Sequence, residues 1–521
     1  MSKNNTLEKK SFIVRALDVV ERAGNALPSP AVIFLILTAL VMVISAICAA
    51  AGVTVTYETI DTHNNNEIVE VTVAAVSLLT GDSIRTLVTK IVSNFTSFFA
   101  LGTVFTIIIG VSVADGSGMI SALLRKAANS APKSLVTAMV VFLGIMSNIA
   151  SSTGYVVLVP LGAILFMAFG RHPIAGLAAA FAGVSGGWSA NLLIGTNDPM
   201  FAGMSTQAAN MLDPNYTVSP VCNWFFMVAS TFVITAVGTL ITDKLVEPRL
   251  GKYVPEGAID TATNDLTAAE RRGLKFAGIA ALVYLAVIAI AVLPPNGLLR
   301  NPETGAILSS PFMSGIIFFM MLLFLIPGIA FGVGAGTIKS DKDVVDLMTK
   351  GIAGISGFMV LIFFAAQFTN FFTYSNLGTI LSVSGANFLK NIGFVDLPLI
   401  IVFILITALL NLLVAVDSAK WAIMAPIFVP MFMRLGLSPE LTQVAYRIGD
   451  SCTNIIAPTM PFFVLTVAFF QKYDKKAGIG TVVSTMLPYS IAFLLGWIVL
   501  FIIWYVLGLP LGPGSPMFYP A

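Results

Sequence analysis

Long apolar stretches separated by short charged segments dominate the chain, and nine of them are long enough to cross a lipid bilayer as helices. They lie at 31–52, 93–114, 174–204, 221–242, 276–293, 313–335, 352–375, 440–471 and 484–508. Polar, glycine or proline residues interrupt two of them, 174–204 and 440–471, which are therefore predicted to be broken helices. The pattern predicts an all-α polytopic membrane protein, with 31–52 as an uncleaved first helix after a charged, amphipathic segment at 1–30.

Two further apolar regions, 134–170 and 397–434, fit crossing helices poorly. In the first, Lys133 and Arg171 enclose 37 residues whose middle, 147–154, is polar and small. Each arm has about 15 residues, or roughly 22 Å of helix, against about 30 Å of hydrocarbon. A re-entrant helical hairpin fits both the length and the charged ends, and two short, strained crossing helices are the alternative.

Composition agrees with a lipid-facing surface, since 57% of residues are hydrophobic and 10% charged, whereas soluble domains carry about 25% charged residues. The net charge of +2 gives no reason to expect nucleic acid. Three scattered cysteines and two histidines form no disulfide framework or metal motif, so we expect no metal and no cofactor other than a coupling H⁺ or Na⁺.

Lysine and arginine are distributed unevenly between the two sides of this topology. With the N-terminus inside, 21 of the 28 fall inside, five outside and two at membrane depth. This bias predicts a multi-pass protein of the bacterial cytoplasmic (inner) membrane, with the C-terminal tail, 509–521, outside. Inside, Thr267 and Glu270 have the spacing of a capping box and predict a helix start at the end of a linker, 243–275.

The two halves, 31–242 and 276–508, match at a spacing of 266 residues. Paired in this register are Ser152 with Ser418, Tyr155 with Trp421, Pro160 with Pro426, Gly170 with Gly436, Pro173 with Pro439, Gly183 with Gly449 and Ser185 with Ser451. After a three-residue offset, Asn191 pairs with Asn454. The predicted topology inverts the two copies, and inverted repeats with paired broken helices are typical of alternating-access carriers.

Four segments of non-helical backbone are predicted at membrane depth: the hairpin tips, 147–154 and 414–421, and the helix breaks, 191–199 and 454–461. Such backbone is tolerated only where protein or water satisfies it. The repeat superposes tip on tip and break on break, so we expect all four to meet near the bilayer midplane. Half-helix N-termini there favour an anion, and unwound carbonyls favour a cation.

Charged residues in membrane segments are costly and therefore candidates for function. Arg447 and Asp450 stand three apart on one predicted helix face, where Arg447 suits a substrate carboxylate and Asp450 suits proton uptake or pairing with Arg447. A purely structural ion pair is the alternative. Asp198, at the first break, either carries the coupling ion or caps the following half-helix.

The second tip adds further candidates. Asp417 and Lys420 either neutralise each other or touch substrate, and Trp421 either stacks on an aromatic substrate or belongs to the core. Ser418, Asn191 and Asn454 suit substrate or ion binding, with helix capping as the alternative. Pro439 and Pro458 are predicted to be structural, shaping the broken helix.

Several segments resemble one known family. They are GYVVLVP at 154–160, GRHP at 170–173, AGLAAAFAGVSGG at 175–187, WAIMAPIFVP at 421–430, AYRIGD at 445–450 and MLPY at 486–489. With these, the chain resembles the p-aminobenzoyl-glutamate transporter (AbgT) family over nearly its whole length, and especially the members that export sulfonamides and other antimetabolites.

The resemblance implies a homodimer with nine transmembrane helices and two hairpins per subunit. It implies transport of p-aminobenzoyl-glutamate, or efflux of sulfonamide drugs, driven by an ion gradient. The functional positions carried over are Asp198, Ser418, Trp421, Pro439, Arg447, Asp450 and Pro458. This chain departs from the family pattern at the tips, with charges at Asp417 and Lys420 and a neutral residue at Ser152.

The resulting hypothesis is a secondary transporter of a small aromatic anion, coupled to protons or sodium. An ion-coupled dicarboxylate or ion exchanger of related architecture is the main alternative. A membrane enzyme would need a catalytic cluster, and the two histidines, His63 and His172, lie apart in this topology. A channel would need no paired broken helices.

Overall fold

The computed structural model describes residues 28–61, 67–129, 132, 135–150, 153–251, 253, 266–307, 310–460 and 462–519. The predicted N-terminal segment therefore lies almost entirely outside the described residues. Much of the predicted linker also lies outside them, as does Ser152 at the first tip.

The first half is helical apart from one pair of strands. Its elements are α1 (Pro30–Ala50), β1 (Thr54–Asp61), β2 (Glu67–Ala74), α2 (Gly81–Thr96), α3 (Phe99–Gly116), α4 (Met119–Asn129), α5 (Val136–Met146), α6 (Thr153–Ala168), α7 (Pro173–Phe181), α8 (Asn197–Ala209) and α9 (Trp224–Ile241). The two strands form an antiparallel pair with Thr54 opposite Ala74.

The second half follows the same order without the strands. Its helices are α10 (Ala268–Val292), α11 (Ile316–Ala335), α12 (Asp341–Gly354), α13 (Ser356–Tyr374), α14 (Leu377–Asn391), α15 (Asp396–Leu413), α16 (Asp417–Met433), α17 (Pro439–Asn454), α18 (Phe463–Gln471) and α19 (Ile479–Val506). The run α12 to α19 matches α2 to α9 element by element, and α10 is an addition. Thr267 and Glu270 form the expected capping box at the start of α10, which confirms that helix boundary.

Eight helices within the described ranges are long and apolar enough to cross a membrane. They are Pro30–Ala50, Gly81–Gly116 (α2 and α3 taken together), Trp224–Leu250 (α9 with the turns that continue it), Ala268–Val292, Ile316–Ala335, Ser356–Tyr374, Asp396–Leu413 and Ile479–Val506. Seven correspond to predicted spans, and the two predicted broken helices do not qualify as single helices. Asp396–Leu413, the first arm of the predicted second hairpin, does qualify by length, so the number of membrane crossings stays a prediction.

Two helices, α1 in the first half and α11 in the second, each pack against the opposite half. The helix α1 packs against α13 of the second half, and α11 packs against α3 of the first half. This reciprocal packing is what a two-fold related pair of repeats would produce. It joins both halves into one hydrophobic core.

The first hairpin closes at its base. The arms α5 and α6 have 11 and 16 residues, about 16 and 24 Å of helix, which is shorter than a bilayer core. At the base, where α5 begins and α6 ends, Arg171 Nη1 donates to Thr137 Oγ1 at 2.6 Å. Arg171 also pairs with Asp243 and Glu247 at the end of α9. Both ends of the hairpin therefore lie together, as a re-entrant segment requires.

Both predicted broken helices are interrupted where glycine or proline punctuates the sequence. After α7 the chain makes one wide turn, Ala182–Gly186, and resumes as a helix only at Asn197. After α17, which ends at Asn454, Pro458 lies in the turn segment before α18 begins at Phe463. Every residue of α17 is buried, although its sequence is strongly polar. The polar side of this helix must therefore find its partners inside the protein.

Candidate substrate and ion site

The hairpin tips and the helix breaks meet in one region. At the first tip, Asn148 Nδ2 donates to the carbonyl of Gly187 at 3.2 Å. The next residue, Trp188, donates through Nε1 to Asp417 Oδ2 of the second tip at 2.8 Å. Residues 187–188, which follow the wide turn after α7, thus bridge the two tips.

The two broken helices also touch each other directly. The amide of Ser189 donates to Ser451 Oγ at 3.1 Å, and Asn454 Nδ2 lies 3.5 Å from the carbonyl of Ser185. Phe462, after the second break, stacks on Tyr155 of the first hairpin with ring centroids 4.4 Å apart. Together with the hydrogen bond from Asn197 to Asp417, these contacts bring the hairpin tips and the interrupted parts of both broken helices together.

Arg447 and Asp198 form an ion pair between the two broken helices. Arg447 Nη1 lies 2.7 Å from Asp198 Oδ1, and both side chains are buried. Asp198 Oδ2 also accepts the amide of Gly195 at 2.7 Å, which holds the loop just before α8. Arg447 Nε has no hydrogen-bond partner among the described residues. Asp198 therefore fixes the loop of the first break and neutralises the arginine, while the Nε donor of the guanidinium remains unpaired.

Asp450 pairs with Lys420 and not with Arg447. Lys420 Nζ lies 2.6 Å from Asp450 Oδ1, and the two side chains are 3% and 0% exposed. The same ammonium donates to Asn411 Oδ1. Two buried ion pairs, Arg447–Asp198 and Lys420–Asp450, thus lie on successive turns of α17.

Asp417 is held by neutral donors. Its Oδ1 accepts the amide of Ser418 at 2.6 Å, and its Oδ2 accepts from Trp188 and, at 3.4 Å, from Asn197 Nδ2. No cation pairs with it among the described residues. Asp417, at the partly exposed second tip, therefore lies outside both ion pairs.

Trp421 and Ser418 lie beside these charges but are buried. Trp421 is 0% exposed, packs against Tyr446 with centroids 4.5 Å apart, and donates to Ser205 Oγ at 3.2 Å. Ser418 is 7% exposed. In this conformation Trp421 belongs to the core, and stacking on a ligand would require the second hairpin to move.

The remaining predicted residues hold the backbone at the breaks. Asn191 caps its own turn by accepting the amide of Leu193 at 3.0 Å, and it donates to the carbonyl of Ile145. Asn454 accepts from Asn411 Nδ2 at 2.8 Å. Pro439 is the first residue of α17, and Pro458 is half-buried in the second break.

Several polar residues of this region were not identified in the sequence analysis. Ser205 donates to Gln443 Oε1 at 2.7 Å, and Gln443 Nε2 donates to Asn223 Oδ1 at 2.8 Å. One polar face of α17 is marked by polar residues spaced three or four apart, and this spacing would have identified Gln443. These residues are Glu440, Gln443, Arg447, Asp450 and Asn454. Asn411, a lone amide in an apolar run, carried a similar signal.

The site is closed in this conformation. The cavity beside Arg447 measures about 10 Å³ and is also lined by Ser189 and Trp497, whereas ligand pockets measure roughly 300–1,000 Å³. A larger cavity, of about 660 Å³, is lined by apolar residues of α10 and α11 and by Leu193 and Ile194 of the first break, and none of its lining residues is charged. Within the described part of the chain, no group of three or more His, Cys, Asp or Glu side chains could hold a metal ion.

Hairpins, broken helices and buried charges at their meeting point define a polytopic membrane transporter. Comparison with known proteins gives the particular family. The model of the AbgT putative transporter family matches residues 15–519, and the chain belongs to this family.

Relatives cover nearly the whole chain. The p-aminobenzoyl-glutamate transport protein of Escherichia coli is 39% identical over 495 residues, which is 95% of each chain. The crystal structure of the Alcanivorax borkumensis YdaH transporter is 42% identical and covers 93% of this chain and 100% of its own, with a TM-score of 0.87. Neisseria gonorrhoeae MtrF, whose structure was described as illuminating a class of antimetabolite efflux pumps, is 47% identical. It covers 96% of this chain and 100% of its own, with a TM-score of 0.90.

Proposed function

We propose that this AbgT-family transporter carries p-aminobenzoyl-glutamate and sulfonamide-type antimetabolites, coupled to a proton or sodium gradient. The substrate classes come from the relatives, one named for p-aminobenzoyl-glutamate and one described as an antimetabolite efflux pump. The observation that carries the proposal is the buried guanidinium of Arg447, placed where both helix breaks meet and with one donor unpaired.

In this proposal Arg447 receives the substrate carboxylate. A guanidinium binds a carboxylate through two parallel hydrogen bonds. Arg447 offers its unpaired Nε, and a second donor becomes available when Asp198 withdraws. Substrate binding would thereby release Asp198 to exchange a coupling ion, and the ion and the substrate would be linked through one guanidinium.

Substrate entry requires motion, because the closed cavity is too small for an aromatic amido acid. The contacts that must separate are those between the tips and the breaks, such as Trp188 with Asp417 and Asn148 with Gly187. Each is a neutral or singly charged hydrogen bond. Each costs about 0.5–3 kcal/mol to lose, so opening one tip is compatible with alternating access.

The proposal includes placement in the bacterial cytoplasmic membrane with the N-terminus inside, which is supported by the positive-charge bias of the predicted inside segments. It also includes a homodimer, as the family resemblance implies. Aromatic stacking of Trp421 on substrate belongs to the open state, because the ring is buried in the closed one.

Proteoliposomes with imposed proton or sodium gradients test the proposal. Uptake of labelled p-aminobenzoyl-glutamate is compared with uptake of labelled succinate, for the wild type and for Arg447→Ala. We expect p-aminobenzoyl-glutamate to be preferred. We expect Arg447→Ala to lower its transport at least about 30-fold, because a buried charge pair is worth roughly 2–5 kcal/mol. Arg85→Ala, which removes an exposed ion pair with Asp82, is the matched control and should transport normally.

Unimpaired transport by Arg447→Ala would remove Arg447 from the site. A preference for succinate would establish the dicarboxylate exchanger instead. Insertion of each variant is checked by its yield and its elution as a single species in detergent.

A further inference from the structure

The ammonium of Lys420 is enclosed by oxygen atoms at the second hairpin tip. It contacts Asp450 Oδ1 at 2.6 Å, the carbonyl of Val414 at 3.4 Å and Asn411 Oδ1. The ring of Tyr446 lies 5.6 Å from it. A carboxylate, an amide oxygen and a main-chain carbonyl are the oxygen ligands that hard cations prefer.

Neighbouring helices fix this oxygen shell. Asn411 Nδ2 donates to the carbonyl of Asp450 at 2.8 Å, to Thr453 Oγ1 at 3.0 Å and to Asn454 Oδ1 at 2.8 Å. Because its nitrogen faces these three acceptors, its oxygen faces Lys420. The carbonyl of Val414 is exposed to the ammonium because the chain is non-helical between α15 and α16. The shell is thus held in place without the lysine.

The other half of the molecule shows that the fold itself needs no charge here. The 266-residue register pairs Lys420 with Gly154 and Asp450 with Val184. A Cβ on Gly154 would lie 3.1 Å from Val184 Cγ1, so the same two positions touch in the first half through apolar contact. The ammonium and the carboxylate at the second tip are therefore an addition to a shared backbone arrangement.

We propose that Lys420 is a tethered cation, whose ammonium occupies a position that a bound alkali-metal ion such as Na⁺ would otherwise fill. The inference rests on the proposed function as an ion-coupled transporter and assigns a role to one of its charges. The lysine neutralises Asp450 permanently, so transport by this chain does not require sodium. Removing the ammonium leaves Asp450, Asn411 and Val414 as an oxygen-lined position with a negative charge, which recruits Na⁺.

The test is Lys420→Met, which keeps the length and apolar stem of the side chain and removes its charge. Transport of p-aminobenzoyl-glutamate is measured in proteoliposomes under a proton gradient, in sodium chloride and in choline chloride. The wild type should transport equally in both salts. Lys420→Met should fall at least about tenfold in choline, equivalent to roughly 1.4 kcal/mol, and recover in sodium. Lys350→Met, at an exposed position, is the control and should behave as the wild type does.

A second readout does not depend on transport. The melting temperature of purified protein in detergent is measured with increasing sodium chloride, with choline chloride keeping ionic strength constant. Sodium should raise the melting temperature of Lys420→Met and leave that of the wild type unchanged. If Lys420→Met does not elute as a single species, Lys420→Gln, which retains a polar group facing Asp450, takes its place.

Three results would overturn the proposal that Lys420 is a tethered cation. The first is a wild type that needs sodium for transport, and the second is a Lys420 variant that transports at the wild-type rate in choline. The third is a folded Lys420 variant whose melting temperature does not change with sodium. Failure of the proposed function looks different. In that case no protein transports p-aminobenzoyl-glutamate in any salt, while the melting temperatures still report on Lys420.

Discussion

The two halves that match in the 266-residue register share the order of their helices and differ in their charge. In the 266-residue register, four charged residues of the second copy stand opposite uncharged ones in the first. They pair as Asp417 with Ser151, Lys420 with Gly154, Arg447 with Phe181 and Asp450 with Val184. Where the second copy places two buried cations on carboxylates, the first packs glycine, phenylalanine and valine.

This difference separates the requirements of the fold from those of the site. Apolar packing suffices to hold a hairpin tip against a broken helix, as Gly154 and Val184 show. Buried ion pairs are seldom more stable than well-packed apolar residues of similar size. In the proposed function the charges of the second copy therefore serve binding and coupling, and the first copy contributes mainly Asp198, which pairs with Arg447.

The largest expected effect comes from making the second copy resemble the first. Lys420→Met and Asp450→Val each leave one buried charge unpaired, which should cost roughly 3–5 kcal/mol. The double variant restores an apolar contact and should recover most of that stability, while transport stays lost. Unfolding of the four proteins in detergent without sodium measures the coupling. If the losses of stability in the two single variants simply added in the double variant, Lys420 and Asp450 would not be energetically coupled, and the described ion pair would be contradicted.

Much of the fold could be predicted because a helix that crosses a membrane must be long and apolar, and both properties are visible in the sequence. Seven of the eight long apolar helices, both breaks and the start of α10 at Thr267 followed from local patterns. The strand pair β1–β2 was not predicted from the sequence. The number of crossings depends on how deep Asp396–Leu413 sits in the bilayer, which length alone does not decide.

A smaller effect should appear in the first copy, where packing and not charge holds the tip. A Cβ added at Gly154 would lie 2.8 Å from Ser147 Cβ as well as against Val184, so Gly154→Ala forces the two arms of the hairpin apart. We expect a loss of about 1–3 kcal/mol. Gly102→Ala, where nothing lies within 4 Å, is the matched control. Equal melting temperatures for the two variants would contradict close packing at the first tip.

The site residues could be predicted better than their partners. Arg447 and Asp450 stand on one helix turn, and their spacing suggested that they pair with each other. Their actual partners, Asp198 and Lys420, are remote in sequence and approach only because the breaks and tips converge. Spacing identifies which residues share a face, whereas partner choice depends on tertiary packing that one sequence does not reveal.

The smallest expected effect distinguishes the paired aromatics Tyr155 and Trp421. Both are buried, but the Trp421 N–H donates to Ser205, which continues to Gln443 and Asn223, whereas the Tyr155 hydroxyl lies 4.0 Å from Met460 Sδ. Trp421→Phe removes this donor and part of a buried ring, so it should cost at least about 1 kcal/mol more than Tyr155→Phe, which keeps its ring. Thermal unfolding of both variants measures the difference. Equal costs would mean that the chain from Trp421 to Asn223 adds nothing to packing, and that the second copy differs from the first by its charges alone.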